Sequence, residues 1–182
     1  MTKINALTYE QASPQTQEIF DALKSKIGMV PNLYATIGHS PAALNAILGF
    51  GETLGGGELN AQEAEAIALA VGQENECGYC LSAHSAIGKM VGFSEEETLQ
   101  LRQANTEDPK LNALTQLAQA ITATRGRPNQ ALLDNFFNAG YSQGAFAELV
   151  GYVALNTFTN YFNHIAETDI DFPLAQGIEA KV

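Results

Sequence analysis

Positive charge is scarce in this 182-residue chain: nine Lys and Arg stand against twenty Asp and Glu, for a formal net charge of −11. No basic cluster interrupts that balance, which argues against nucleic acid or an anionic membrane surface as a partner, since both demand a basic face. Long hydrophobic runs are also missing. The longest apolar stretch, Ala145 to Phe162, contains Glu148, Asn156 and Asn160, which argues against a membrane span. The Met1-Thr2-Lys3 start lacks the apolar run of a secretion signal, so a cytoplasmic protein is expected. There is no run of alternating β-branched residues to justify a sheet, and no internal repeat, low-complexity tract or linker. With 46% hydrophobic and 16% charged residues, the chain is expected to fold as one globular domain over residues 1–182. Cysteine occurs twice only, at Cys77 and Cys80. In a reducing cytosol two cysteines at that spacing point to catalysis or metal binding rather than to a structural staple.

What is abundant is helix punctuation. Ser13-Pro14, Ser40-Pro41 and Asp108-Pro109 each place a capping side chain before a proline at the first helical position. The first helix carries Ile19, Phe20, Leu23 and Ile27 on one face and stops at Gly28. Val30-Pro31-Asn32-Leu33 turns into a short helix ending near Gly38, and the next helix buries Leu44, Ile47 and Leu48 before Gly55-Gly56-Gly57. Asn60 with Glu63, and Ser94 with Glu97, form capping boxes. The helix after Asn60 runs to about Gln73 with Ala64, Ile67, Ala68 and Val71 at helical spacing, and Asn75-Glu76-Cys77-Gly78 breaks it before a helix over about 77–91. Further helices are expected from Asp108, over 130–138, and from Ser142 to about His164. The fold class is therefore all-α, a multi-helix bundle with Cys-x-x-Cys at the start of a central helix.

Cys77 and Cys80 can close a disulfide within one helical turn, the requirement for a dithiol redox couple. At a helix start, free N–H groups and the helix dipole stabilise thiolate. Cys80 and His84 are four residues apart, so sulfur and imidazole share a helical face and can exchange a proton. Glu65 lies twelve residues before Cys77. Its carboxylate reaches the imidazole if the two helices pack antiparallel.

The set Glu65, Cys77-Gly78-Tyr79-Cys80 and Ala83-His84 resembles the signature of the alkylhydroperoxidase D-like branch of the carboxymuconolactone decarboxylase superfamily, over a core of about residues 40–125. Val30-Pro31-Asn32 and Asp171-Phe172-Pro173 are similar to a full-length subgroup of peroxidase-related proteins. The resemblance implies an all-helical homo-oligomer, from dimer to trimer or hexamer. It also implies that Cys80 attacks a peroxide and becomes sulfenic acid, that Cys77 donates a proton and then resolves Cys80 into a disulfide, and that His84 and Glu65 relay protons. No metal, flavin or other cofactor is implied; the reductant is an external dithiol, a lipoyl group or a thioredoxin-like protein. Well-studied members carry His where this chain has Tyr79, which leaves the relay one proton carrier short.

Other readings stay open. Glu65 alone reads as a solvated or ion-paired helix residue, and His84 alone as a satisfied helix histidine. Cys77, Cys80, His84 and Glu65 could supply four zinc ligands, yet positions i, i+3 and i+7 on one helix give poor tetrahedral geometry. Haem attachment fails because Leu81 follows Cys80. His39, His164, Arg125 and Arg127 read as surface positions, and Phe158, Tyr161 and Phe162 as core or oligomer interface. Against the peroxidase stand a lactone decarboxylase of the same superfamily, which needs no cysteine pair, and a non-catalytic redox-sensing assembly.

Overall fold

Every helix start that the sequence punctuates is made. A computed structural model of the chain describes residues 3–177; Met1 and Thr2, part of the expectation about a secretion signal, lie outside the described residues. Among those residues there are nine α-helices and no strand: α1 (Pro14–Ile27), α2 (Asn32–Ile37), α3 (Pro41–Leu54), α4 (Ala61–Glu74), α5 (Gly78–Met90), α6 (Glu95–Arg102), α7 (Pro109–Ala123), α8 (Gln130–Asn138) and α9 (Gln143–Ala166). Ser13, Ser40 and Asp108 each accept a backbone N–H at the head of their helix, and Gly28 ends α1 in the left-handed region at φ 82°. Both capping boxes close reciprocally, Asn60 with Glu63 and Ser94 with Glu97.

The organising helix is α4, packed by α5, α6, α7 and α9. The sequence spacing predicts one buried stripe, but residues 66–72 are all buried, so α4 is apolar on every side. Ala66, Ala68, Ala70 and Gly72 are small enough to let neighbours close in around the whole circumference. On one side Ile67, Val71, Leu114, Leu117, Phe136 and Leu149 make the main core. On the other, Cys77, Tyr79 and Cys80 join Phe20, Leu33 and Leu44 in a second cluster roofed by α1, α2 and α3. The dithiol is thus part of a hydrophobic core.

The long helix α9 inverts the ordinary pattern over its second half. Asn156, Thr159, Asn160 and Asn163 are buried, whereas Phe158, Tyr161 and Ile165 are exposed. No helix among the described residues is long and apolar enough to cross a membrane. Ile27, expected on the buried face of α1, is half exposed in the last turn of that helix.

Phe136 is fully buried and stacks on Tyr141 with ring centroids 4.4 Å apart. Phe136→Ala is expected to lower the unfolding free energy by about 3–5 kcal/mol, read from urea denaturation. A loss below about 1 kcal/mol would mean that the cavity collapses freely.

Candidate functional site: a buried dithiol between two helix ends

Cys77 is fixed from both sides by backbone chemistry. Its N–H donates to Gly72 O (2.9 Å) and the Glu76 N–H to Gln73 O (3.0 Å), the paired bonds that close a helix C-terminus. Glu76 holds φ 54°, a left-handed conformation usually given to Gly or Asn, and this strained residue reverses the chain within three positions. Cys77 is then the N-cap of α5, its Sγ accepting the Cys80 N–H at 3.4 Å. One residue ends α4 and begins α5. Contacts between the two helices run in opposite order, with Gln62 Nε2 donating to Val91 O and Gly72 close to Leu81, so they are antiparallel.

That geometry brings Glu65 to His84, with Oε2 2.8 Å from Nδ1. Glu65 and His84 are therefore paired, and the field of the imidazole reaches Cys77. Burial disfavours the imidazolium, but the Glu65 carboxylate, with help from the Cys77 sulfur, outweighs it and raises His84 above its ordinary value.

The two sulfurs are free thiols 2.6 Å apart, and Asn163 Nδ2 of α9 donates to Cys80 Sγ at 3.2 Å. Such a contact holds one negative charge between two sulfurs, not two. A hydrogen bond from Cys80 holds Cys77 below its ordinary value against the cost of burial, aided by the Cys80 N–H, Asn163 and the field of His84. Burial pushes Cys80 well up, and the neighbouring Cys77 adds to the rise. The two sulfurs are thus unequally placed, with the surroundings favouring ionisation of Cys77 and opposing that of Cys80, whereas the family resemblance implies Cys80 as the attacking thiolate.

Tyr79, between the cysteines, is a clamp. Its hydroxyl donates to Asp171 Oδ1 (2.8 Å) and accepts the Leu33 N–H (3.2 Å), while Asp171 Oδ2 accepts the Asn32 N–H (2.7 Å). Phe172 meets the Tyr79 ring edge-on. The separate Val30-Pro31-Asn32 and Asp171-Phe172-Pro173 segments thus converge on one phenol, whose ionisation burial and Asp171 push far up. A phenol so held is a hydrogen-bonding post rather than a proton carrier. Further along the tail, the Ala175 N–H donates to Ser82 Oγ, and Arg102 reaches Gln176 O and Gln73 Oε1.

Three contributors lay outside the sequence expectations. Tyr34 of α2 is half-buried, its phenol raised by burial and by the negative fields of Glu65 and Cys80. Asn160 and Asn163 lie on the inner face of α9. The available signal was three asparagines at four- and three-residue spacing inside an apolar helix, a polar line that has to face something polar. His39, His164, Arg125 and Arg127 are exposed, and His39 Nε2 lies 3.0 Å from Asn5 O. Among the described residues no three His, Cys, Asp or Glu side chains gather to hold a metal ion, and neither cysteine lines the groove of about 520 Å³ beside α2.

Residues 41–123 match the family model described as the carboxymuconolactone decarboxylase family. No functionally curated protein matches the sequence. Among solved structures, the fold is similar to the apo debrominase Bmp8 at TM-score 0.80 and 22% identity, covering 94% of this chain and 93% of that one. It is similar to a peroxidase-related protein from Silicibacter sp. TM1040 at 0.79 and 23%, covering 92% of each. It is also similar to a peroxidase-related protein from Ralstonia eutropha JMP134, described as an alkylhydroperoxidase AhpD core, at 0.81 and 19%, covering 95% and 94%.

Two outcomes test the geometry. Tyr79→Phe strands the Leu33 N–H and the Asp171 carboxylate and is expected to cost about 1–3 kcal/mol, with hydrogen exchange accelerated in α2 before α4. Unchanged exchange in α2 would remove the clamp. Because His84 is raised on folding, the ion pair's stabilisation is fully present below the unfolded imidazole value and is lost as pH rises through the folded one. The stability gap between the native chain and His84→Asn is expected to be wider at about pH 5.5 than at about pH 9 in urea titrations. A gap independent of pH would mean that Glu65 and His84 are not coupled.

Proposed function

We propose that the chain, whose residues 41–123 match the carboxymuconolactone decarboxylase family and whose fold is alkylhydroperoxidase D-like, is a dithiol peroxidase of that superfamily. The observation that carries the reading is the pair of free thiols 2.6 Å apart at a helix start, with the Glu65–His84 pair beside them. Cys77 gives its proton to His84, and the proton of Cys80 then passes to the Cys77 sulfur across that contact. Cys80 sulfur then attacks the distal oxygen of a hydroperoxide, the O–O bond breaks, and the departing alkoxide takes a proton from His84. Cys77 sulfur attacks the sulfenic acid, an S–S bond forms, and water leaves with the Cys77 proton. The sum is ROOH + 2 Cys–SH → ROH + H2O + disulfide. An external dithiol, a lipoyl group or a thioredoxin-like protein, returns the two hydrogens and is itself oxidised. Glu65 holds the ring so that Nε2 is left free for this transfer.

Hydrogen peroxide or an organic hydroperoxide is the substrate class, and the apolar roof of Phe20, Leu33 and Leu44 favours the organic one. The exposed Phe158, Tyr161 and Ile165 on α9 support association of copies into a homo-oligomer. The acidic composition, without a basic cluster, suits a cytoplasmic protein that takes neither nucleic acid nor a membrane surface as partner.

The same apolar setting favours a second reading, reductive removal of halogen from an aromatic ring. A cysteine-to-alanine variant of the debrominase is described in complex with 2,3,4-tribromopyrrole, at TM-score 0.80 and 21% identity. The balance is Ar–Br + 2 Cys–SH → Ar–H + HBr + disulfide.

Peroxide consumption by the reduced protein, with mass spectrometry of the Cys77–Cys80 peptide, tests the first reading. Loss of two hydrogens and repeated turnover on adding dihydrolipoamide are expected. Cys80→Ser abolishes consumption, while Cys77→Ser permits one turnover that stops at sulfenic acid. The reverse pattern would make Cys77 the attacking sulfur, and bromide release without peroxide loss would replace the peroxidase with the dehalogenase.

A further inference from the structure

The inner face of α9 presents two amides to the dithiol. Asn160 is fully buried and Asn163 nearly so, one turn apart. Asn163 Nδ2 donates to Cys80 Sγ at 3.2 Å. Asn160 Oδ1 accepts from Asn75 Nδ2 at 2.9 Å, which fixes the orientation of that amide and leaves its Nδ2 buried without a partner. Asn163 Oδ1 is also buried and unpartnered. A neutral thiol is a weak acceptor and a poor match for amide donors held out of water. A thiolate, or the oxygen of a sulfenate, is a strong one. The surroundings thus suit a negative charge on Cys80 better than its neutral thiol.

We propose that Asn160 and Asn163 form a two-amide cradle that binds negative charge on Cys80, and that they are catalytic residues for its attack. The inference rests on the thiol chemistry proposed above and adds the groups that decide which sulfur reacts. When the proton of Cys80 crosses the 2.6 Å contact to Cys77, the charge moves into the cradle beside Asn163 Nδ2. Asn160 and Asn163 are the groups that draw Cys80 toward ionisation against burial and against Cys77. The other titratable groups facing the sulfurs are Cys77 and His84, Glu65 of α4, Tyr34 of α2 and Tyr79 of α5.

The test is the ultraviolet thiolate absorbance of the full chain in a Cys77→Ser background, titrated with pH so that Cys80 alone reports. Asn163→Ala and Asn160→Ala are each expected to move the Cys80 midpoint upward by about one pH unit, a tenfold loss of thiolate. Asn156→Ala, on the same buried face but bonded to Tyr152 O, is expected to leave it in place. An unmoved midpoint in both variants, or an equal shift in Asn156→Ala, overturns the cradle. Should Asn163→Ala fail to fold, the near-isosteric Asn163→Asp is expected to raise the midpoint further, and an unmoved midpoint there overturns the cradle equally. The titration needs no turnover, so the two proposals fail separately. Peroxide consumption by the native chain with a flat titration sinks the cradle alone; a shifted titration without consumption sinks the peroxidase alone.

Discussion

The three-residue reversal Asn75-Glu76-Cys77 is the constraint on which the site depends. It ends one helix with bonds from Glu76 and Cys77 and starts the next with the sulfur of Cys77. Because the turn is so short, α4 and α5 have to lie side by side, and the carboxylate a dozen residues upstream arrives at the imidazole seven residues downstream. Lengthening the turn would relax Glu76 and lose the register. The strain of one left-handed residue is the local cost of that register.

Around this hairpin the protein sets a polar problem inside an apolar volume. Two sulfurs lie among Phe20, Leu33 and Leu44, and the paired imidazole and carboxylate and a row of asparagines are also withdrawn from solvent. In such a medium charge is costly unless matched by fixed donors. The matches are unequal: Cys77 has a backbone N–H, the Cys80 thiol and Asn163, while Cys80 has only the side-chain amides of Asn163 and Asn160. Inequality between two chemically identical groups is what allows them different tasks.

Much of the fold was legible because helix ends are a local affair. Ser13-Pro14, Ser40-Pro41, Asn60 with Glu63 and Ser94 with Glu97 each specify their own start through bonds spanning three or four residues. The shared face of Cys80 and His84 was legible for the same reason, by helical spacing, whereas Glu65 came with the family resemblance, its reach to the imidazole resting on an antiparallel packing that spacing alone does not fix. Asn163, Tyr34 and the Tyr79 clamp were not legible, because their partners lie tens of residues away and no local period encodes a meeting between helices. Nor did spacing reveal that α4 is buried all round, since alanine is at home on either face of a helix.

The clamp has a consequence for the order in which the molecule is built. Tyr79 and Asp171 are 92 residues apart in sequence, and Asn32 and Asp171 are 139 apart. The helical hairpin that carries the dithiol closes through contacts between neighbours in the chain, whereas its cover waits on loops of great length. Long closures are slow because their entropy has to be lost before any contact rewards it. The cysteines are therefore expected to be in place before they are sealed, with the Asp171-Phe172-Pro173 segment as the stopper fitted last.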